Sequence, residues 1–286
     1  MQSRMDPARP AGGGRYPGDG VARGDGMFNG GNLQRKLRNG QAAVGTIAYF
    51  GAPAFVEMAA AAGYDWLFLD TEHGHLTSSE LLPLLLAAKG TPIDVIVRVP
   101  GLIEAEIKRA LDWGANGIVV PMVENAEQAA LAVKWSKYAP LGRRGCGPLR
   151  AEYTHRVNEY FAQANDRVTV VAQMESLDSV RNIEEIVRVP GLDAVFMGMD
   201  DLRQSMGLLG VREHPELDRK VDEIFRAAQQ AGMPFGTFVG SAEACRSWID
   251  RGALLMTVGS DLEFWLNGLD REMERLKEAD RSGRES

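Results

Sequence analysis

One grammar repeats eight times along this chain. A short apolar, β-branched run gives way to polar residues, and a helical stretch follows. The runs are VGTIA (44–48), WLFLD (66–70), VIVRV (95–99), GIVVPM (117–122), TVVAQME (169–175), AVFMGM (194–199), FGTFV (235–239) and LMTVG (255–259). They are near-continuously apolar and do not alternate, as parallel strands buried on both faces require. The stretches between them, such as PAFVEMAAAAG, IEAEIKRALDWG and SAEACRSWIDRG, are amphipathic. Several stop at Gly, and others open on a plausible N-cap, as at Ser78, Asn125 and Ser241. Eight such units predict an α/β fold of the closed (β/α)8 TIM-barrel type in preference to an open doubly wound sheet, and no GxGxxG follows the first run.

A single barrel commonly runs to roughly 250 residues, so a chain of 286 residues is expected to hold one domain, placed at 33–278. Residues 1–32, rich in Gly, Pro and Arg, read as a flexible leader, and 279–286 as a flexible tail. One region is irregular, 138–166, between the fourth and fifth runs. EYTHRVNEYFAQAN within it has a helical pattern, so a structured excursion over the barrel mouth is expected there. DLEFWLNGLDREMERLKEA forms a long last helix.

A formal net charge of −7 and a pI near 5.3 argue against a nucleic-acid footprint and against adhesion to an anionic membrane. No run approaches the ~18 consecutive apolar residues of a spanning helix, and the N-terminus lacks the apolar stretch of a secretory signal. The two cysteines, Cys146 and Cys245, lie far apart in no metal-type spacing, so a reducing cytoplasm is the expected compartment.

In such a barrel the chemistry sits at the C-terminal ends of the strands. Those ends deliver Asp70, Glu72 and His73, then Arg98, then Gln173 and Glu175, then Asp200 and Asp201. Two carboxylates from adjacent strands, Glu175 and Asp201, suit Mg2+ or Mn2+, which prefer oxygen ligands. A 2-oxo acid could chelate that metal, and the enolate formed from it would be stabilised. Arg98 would add charge beside the keto oxygen, and His73 is the best general acid/base candidate. All seven lysines (36, 89, 108, 134, 137, 220 and 277) fall in helices or loops, away from the strand ends where a Schiff-base aldolase needs one. The pattern favours metal over imine.

Five blocks, AGYDWLFLDTEHG (62–74), VIVRVP (95–100), ANGIVVPMVENAEQA (115–129), VAQMES (171–176) and VFMGMDDL (195–202), resemble the HpcH/HpaI family of class II pyruvate aldolases in order and spacing. The resemblance runs from about residue 33 to about 275 and implies a barrel of the phosphoenolpyruvate/pyruvate type. It implies that His73 is the catalytic histidine, with Asp112 of ALDWG as its partner carboxylate. It further implies that Arg98 polarises the keto group, that Asp70 supports the histidine and arginine, and that Glu175 and Asp201 hold Mg2+, Mn2+ or Co2+. Gln173 would contact the pyruvate moiety, and backbone amides of Gly198, Met199 and Asp200 its carboxylate. A small 2-oxo acid and an aldehyde are the implied substrates. A homo-oligomer, trimer or hexamer, is implied too, the last helix packing on a neighbouring barrel.

Two positions depart from the family pattern. Asp200 stands where a small residue is usual, and it should repel an anionic donor unless it points away or pairs with Arg203. Ile47 stands where an aromatic wall on the acceptor side is usual. These departures keep alternatives open: an oxaloacetate-type decarboxylase, a biosynthetic variant resembling macrophomate synthase, or a catalytically weakened barrel that binds or assembles. Arg143 and Arg144 of GRRGCG bind substrate or belong to a solvated loop.

Overall fold

The computed structural model describes residues 31–148, 150, 157–211 and 213–282. Eight strands close into a barrel in chain order, every neighbour parallel. They are β1 (Ala43–Ala48), β2 (Trp66–Asp70), β3 (Asp94–Arg98), β4 (Gly117–Val120), β5 (Thr169–Met174), β6 (Ala194–Met197), β7 (Phe235–Val239) and β8 (Leu255–Ser260). The helices are α1 (Asn32–Arg38), α2 (Pro53–Ala62), α3 (Ser78–Ala87), α4 (Glu104–Asp112), α5 (Ala126–Ser136) and α6 (Val157–Arg167). Then come α7 (Leu177–Arg181), α8 (Ile183–Ile186), α9 (Met199–Ser205), α10 (Pro215–Ala231), α11 (Ala242–Arg251) and α12 (Asp261–Ser282). This is the (β/α)8 barrel that the eight runs imply. The leader falls outside the described residues except for Gly31 and Asn32, and α12 carries the helical state through Ser282, four residues into the expected tail.

Four strands, β3 to β6, stop before the ends of their apolar runs. Pro121 has no amide to continue the ladder and Met122 has φ 51°, so β4 ends at Val120. Caps set the helix starts: Asn125 accepts the Gln128 N–H at 2.9 Å and Ser241 the Ala244 N–H at 3.1 Å. At α3 the cap is Thr77, one residue before the expected Ser78, and its N–H donates to Glu80 at 2.7 Å.

Alternation sorts the strand residues into two cores. Ile47, Trp66, Phe68, Ile96, Val119, Val171, Phe196 and Leu255 fill the barrel interior. Ala48, Leu67, Leu69, Val97, Val120 and Val195 face the surrounding helices. The barrel's foot is closed by α1, whose Leu33 and Leu37 join the interior cluster. Lys137, 2% exposed, is held at this foot by Asp193 Oδ2 at 3.0 Å and by the Val168 carbonyl. It lies a barrel's height from the mouth, where it could form no imine with substrate.

Carboxylates at the strand starts secure the plug. Asp94 accepts the Leu33 N–H at 2.6 Å, Asp193 accepts from Gln34 Nε2 at 2.7 Å, and Lys36 Nζ lies 2.5 Å from Asp65. Burial pushes Asp94 up to about 6, against the pull of the Leu33 amide, the Arg35 charge and the Asn32 and Gly31 amides. Its ordinary value is 3.8, so between these limits the folded state holds the proton more tightly than the unfolded chain. The stability from this group is therefore complete below about pH 4 and is lost as pH rises through about 6, amounting to roughly 3 kcal/mol. Asp94→Asn is expected to flatten that fall, read as the difference between urea midpoints at pH 4.5 and pH 7. An unchanged difference would contradict this reading of Asp94.

Helices that follow the strands run back from mouth to foot, so helix C-termini mark the lower face. The described parts of the 138–166 excursion are tied to those ends. Arg144 binds Asp112 at the end of α4, Arg150 donates to the Trp113 and Leu85 carbonyls, and Tyr138 and Asn165 bond each other. These described parts of the excursion thus lie against the flank and foot of the barrel. The helical reading survives as α6; residues 151–156 lie outside the described residues.

Candidate active site

Asp70 and Arg98 end β2 and β3 in direct register. Arg98 Nε donates to Asp70 Oδ1 at 2.9 Å and Nη2 to Oδ2 at 2.5 Å, and the Asp70 side chain is wholly buried. The guanidinium stands 5.3 Å from the Phe68 ring centroid and 3.2 Å from Glu72 Oε2. Asp70 Oδ1 also accepts the N–H groups of Glu72 at 3.0 Å and His73 at 3.3 Å, so it shapes the loop that carries the histidine. The His73 imidazole is 57% exposed, with Nε2 3.9 Å from Glu72 Oε2. A buried, bidentately held cation and an exposed imidazole therefore share one rim.

Glu175 lies just past β5. Its Oε1 accepts the Met122 N–H at 2.6 Å, and its Oε2 accepts from Gln173 Nε2 in a very short bond. Met122 is the only non-glycine among the described residues with a positive φ, and strain of this kind gathers at functional sites. The β6–α9 turn presses on the same carboxylate, for a Cβ at Gly198 would stand 2.3 Å from Glu175 Oε2. Asp201 occupies the first turn of α9.

Electrostatics join the two halves of the rim. Burial lifts Glu175 above the ordinary carboxylate range, with Gln173 and the Met122 amide opposing and the Asp201 charge adding. Glu72 is lifted by burial too, against Arg98 and with help from Glu175. Burial works against the charge on Arg98, yet Asp70, Glu72 and Glu175 together raise its pKa. Arg98, Glu72, Glu175 and Asp201 lie in one field.

The donor chemistry of this rim fits a hard divalent cation. Among the described residues no three His, Cys, Asp or Glu side chains converge into a closed metal cluster. The rim supplies two carboxylates instead, with positions left over for water and substrate oxygens, as Mg2+ and Mn2+ favour. Beside them the buried Gln173 Oε1 accepts no hydrogen bond among the described residues.

The remaining expected residues separate. Gly198 and Met199 open α9 beside Glu175. Asp200 is 90% exposed and its Oδ1 lies 2.6 Å from Arg203 Nη1, so it points out and pairs, which relieves the feared repulsion. Asp112, at the end of α4, accepts from Arg144 Nη2 at 2.7 Å, and no bond joins it to His73 among the described residues. Arg144 is buried with its guanidinium 4.9 Å from the Tyr138 ring centroid, so it is a foot residue and touches no part of the mouth. Sequence reasoning missed the Met122 amide, which no side-chain pattern marks. It also gave no role to Tyr49, which inward parity with Ile47 marks.

The family model described as HpcH/HpaI aldolase/citrate lyase matches residues 50–268. A 5-keto-4-deoxy-D-glucarate aldolase of Klebsiella pneumoniae is 39% identical over 223 residues, covering 78% of this chain and 87% of that protein. An HpcH/HpaI aldolase/citrate lyase family protein from Burkholderia cenocepacia superposes with a TM-score of 0.81 at 33% identity, covering 86% of this chain and 98% of its own. Macrophomate synthase superposes with a TM-score of 0.79 at 25% identity, covering 88% and 91%. The chain belongs to the HpcH/HpaI aldolase/citrate lyase family, and it is a carbon–carbon lyase built on a (β/α)8 barrel.

Proposed function

We propose that this lyase cleaves and forms 4-hydroxy-2-oxo acids, splitting them into a pyruvate-type 2-oxo acid and an aldehyde, with Glu175 and Asp201 holding a divalent metal. The observation that carries this reading is the shared field of the Arg98–Asp70 pair and Glu175 across one barrel mouth. When bound, Mg2+, Mn2+ or Co2+ would supply Lewis acidity to the oxo acid's oxygens. Arg98, locked by Asp70, presents positive charge where the keto oxygen gains negative charge, and its fixed geometry spares reorganisation. Gln173 and the amides of Gly198, Met199 and Asp200 orient the 2-oxo acid, while His73 moves the proton at the 4-hydroxyl.

Asp112 can assist only the His73 of a second copy, because α4 delivers it to the foot of its own barrel. The outward residues of α12, Trp265, Leu266, Leu269, Met273 and Leu276, are all about half exposed or more, an apolar stripe that suits burial in a homo-oligomer, trimer or hexamer. Cys146 and Cys245 are both free, which fits a cytoplasmic enzyme. Among the described residues no helix is long and apolar enough to cross a membrane.

Pyruvate release from 4-hydroxy-2-oxo acids, 5-keto-4-deoxy-D-glucarate among them, tests the proposal through coupled lactate dehydrogenase. EDTA treatment is expected to abolish release, and added Mg2+, Mn2+ or Co2+ to restore it. Release that persists after chelation would contradict the metal-holding role given to Glu175 and Asp201.

A further inference from the structure

Strand parity puts one more side chain into the mouth. Along β1, Ile47 faces the barrel interior and Ala48 the helices, so Tyr49 turns inward again and packs on the interior cluster. Ala48 pairs with Leu69 and Asp70 with Arg98. Tyr49 therefore stands on the rung of the Asp70–Arg98 pair, one strand away from Asp70.

Its backbone is pinned on two sides. The Tyr49 N–H donates to both oxygens of the wholly buried Asp261 at 3.0 Å, and its carbonyl accepts the His75 N–H at 3.1 Å. A Cβ at Gly74 would meet the Tyr49 carbonyl at 2.9 Å, so the histidine loop closes directly on this residue. The phenol hydroxyl, by contrast, makes no hydrogen bond among the described residues. Burial raises its pKa, and the nearby Asp70, Glu263 and Asp261 charges reinforce that shift against Arg98. At neutral pH it is protonated, a donor bonded to none of the described residues.

Closure in chain order sets β1 diametrically opposite β5. Glu175 follows β5 and Asp201 follows β6, so the 2-oxo acid of the proposed reaction occupies that side. The aldehyde must then sit between it and β1. We infer that Tyr49 is a further acceptor-side residue of the site, its hydroxyl donating a hydrogen bond to the carbonyl oxygen of the aldehyde, the oxygen whose proton His73 moves. This rests on the aldol reading above and adds an acceptor-side residue that the reading does not name.

Tyr49→Phe removes the oxygen and keeps the ring, so folding is not at issue. Two rates are measured on the full chain with Mg2+ or Mn2+. One is proton–deuterium exchange at the pyruvate methyl group, which involves no aldehyde. The other is kcat/KM for aldol addition of pyruvate to the best-used of glycolaldehyde, glyceraldehyde and glyoxylate. Tyr49→Phe is expected to lower addition at least about tenfold more than exchange, with KM for the aldehyde raised. Equal effects on the two rates, or none on either, would overturn the assignment while the aldol reading stands. Absence of both reactions in the unmodified enzyme would sink that reading, and this assignment with it.

Discussion

Gly198→Ala is expected to lower kcat/KM by about a hundredfold or more while the melting temperature moves little. Gly198 has φ −93° and ψ 101°, a conformation any residue adopts, so the backbone accepts alanine. The harm lies in contact: the added Cβ would stand 2.3 Å from Glu175 Oε2 and 3.0 Å from Gln173 Nε2 and Glu175 Cβ. Something must move. The Met122 amide holds the far oxygen of the same carboxylate, so displacing Glu175 breaks a fixed two-point mount. A misplacement of roughly 1 Å in a positioned catalytic array costs on the order of a hundredfold. Adding Glu175→Asp to Gly198→Ala shortens the obstructing side chain and is expected to recover part of the loss. Steady-state kinetics with thermal melts checks both variants, and near-normal activity in Gly198→Ala would show that the Glu175 position is not critical.

Arg98→Lys is expected to cost about a hundredfold to a thousandfold in kcat, the scale of removing a preorganised charge-stabilising donor. Lysine keeps the charge but cannot reproduce the two-point pairing with Asp70 or the stacking over Phe68. Asp70 is wholly buried and organises the His73 loop through the Glu72 and His73 amides. Arg98→Met, which leaves Asp70 without its cation, is expected to lose about 3–5 kcal/mol of stability by urea denaturation. A stable and active Arg98→Lys enzyme would contradict the role given to the bidentate pair.

Much of this was legible before any coordinates. Eight near-continuously apolar runs point to strands covered on both faces, and the polar residues at their ends then share a rim. That reasoning places Asp70, Arg98, Gln173 and Glu175 at strand ends, where the structure also has them, and the resemblance adds Gly198. It does not reach positions that depend on direction within an element rather than on sequence neighbourhood. The resemblance pairs Asp112 with His73, and within one copy a helix returning from the mouth carries its last residue to the foot, where Arg144 binds it, so that pairing needs a second copy. The same holds for the described parts of the 138–166 excursion, where Arg144 and Arg150 bind the end of α4 and the residue after it at the foot. Asp200 was undecidable from sequence, because only the turn of α9 shows that it faces Arg203 and solvent. The Met122 amide was out of reach too, being a backbone group whose orientation follows from one left-handed residue.

The most direct test of a metal-assisted enolate in this barrel is proton–deuterium exchange at the methyl group of pyruvate, followed by NMR in D2O. Exchange is expected with Mg2+, Mn2+ or Co2+, to vanish with EDTA, and to vanish in Glu175→Ala at unchanged thermal stability. Exchange that survives both chelation and Glu175→Ala would contradict the account.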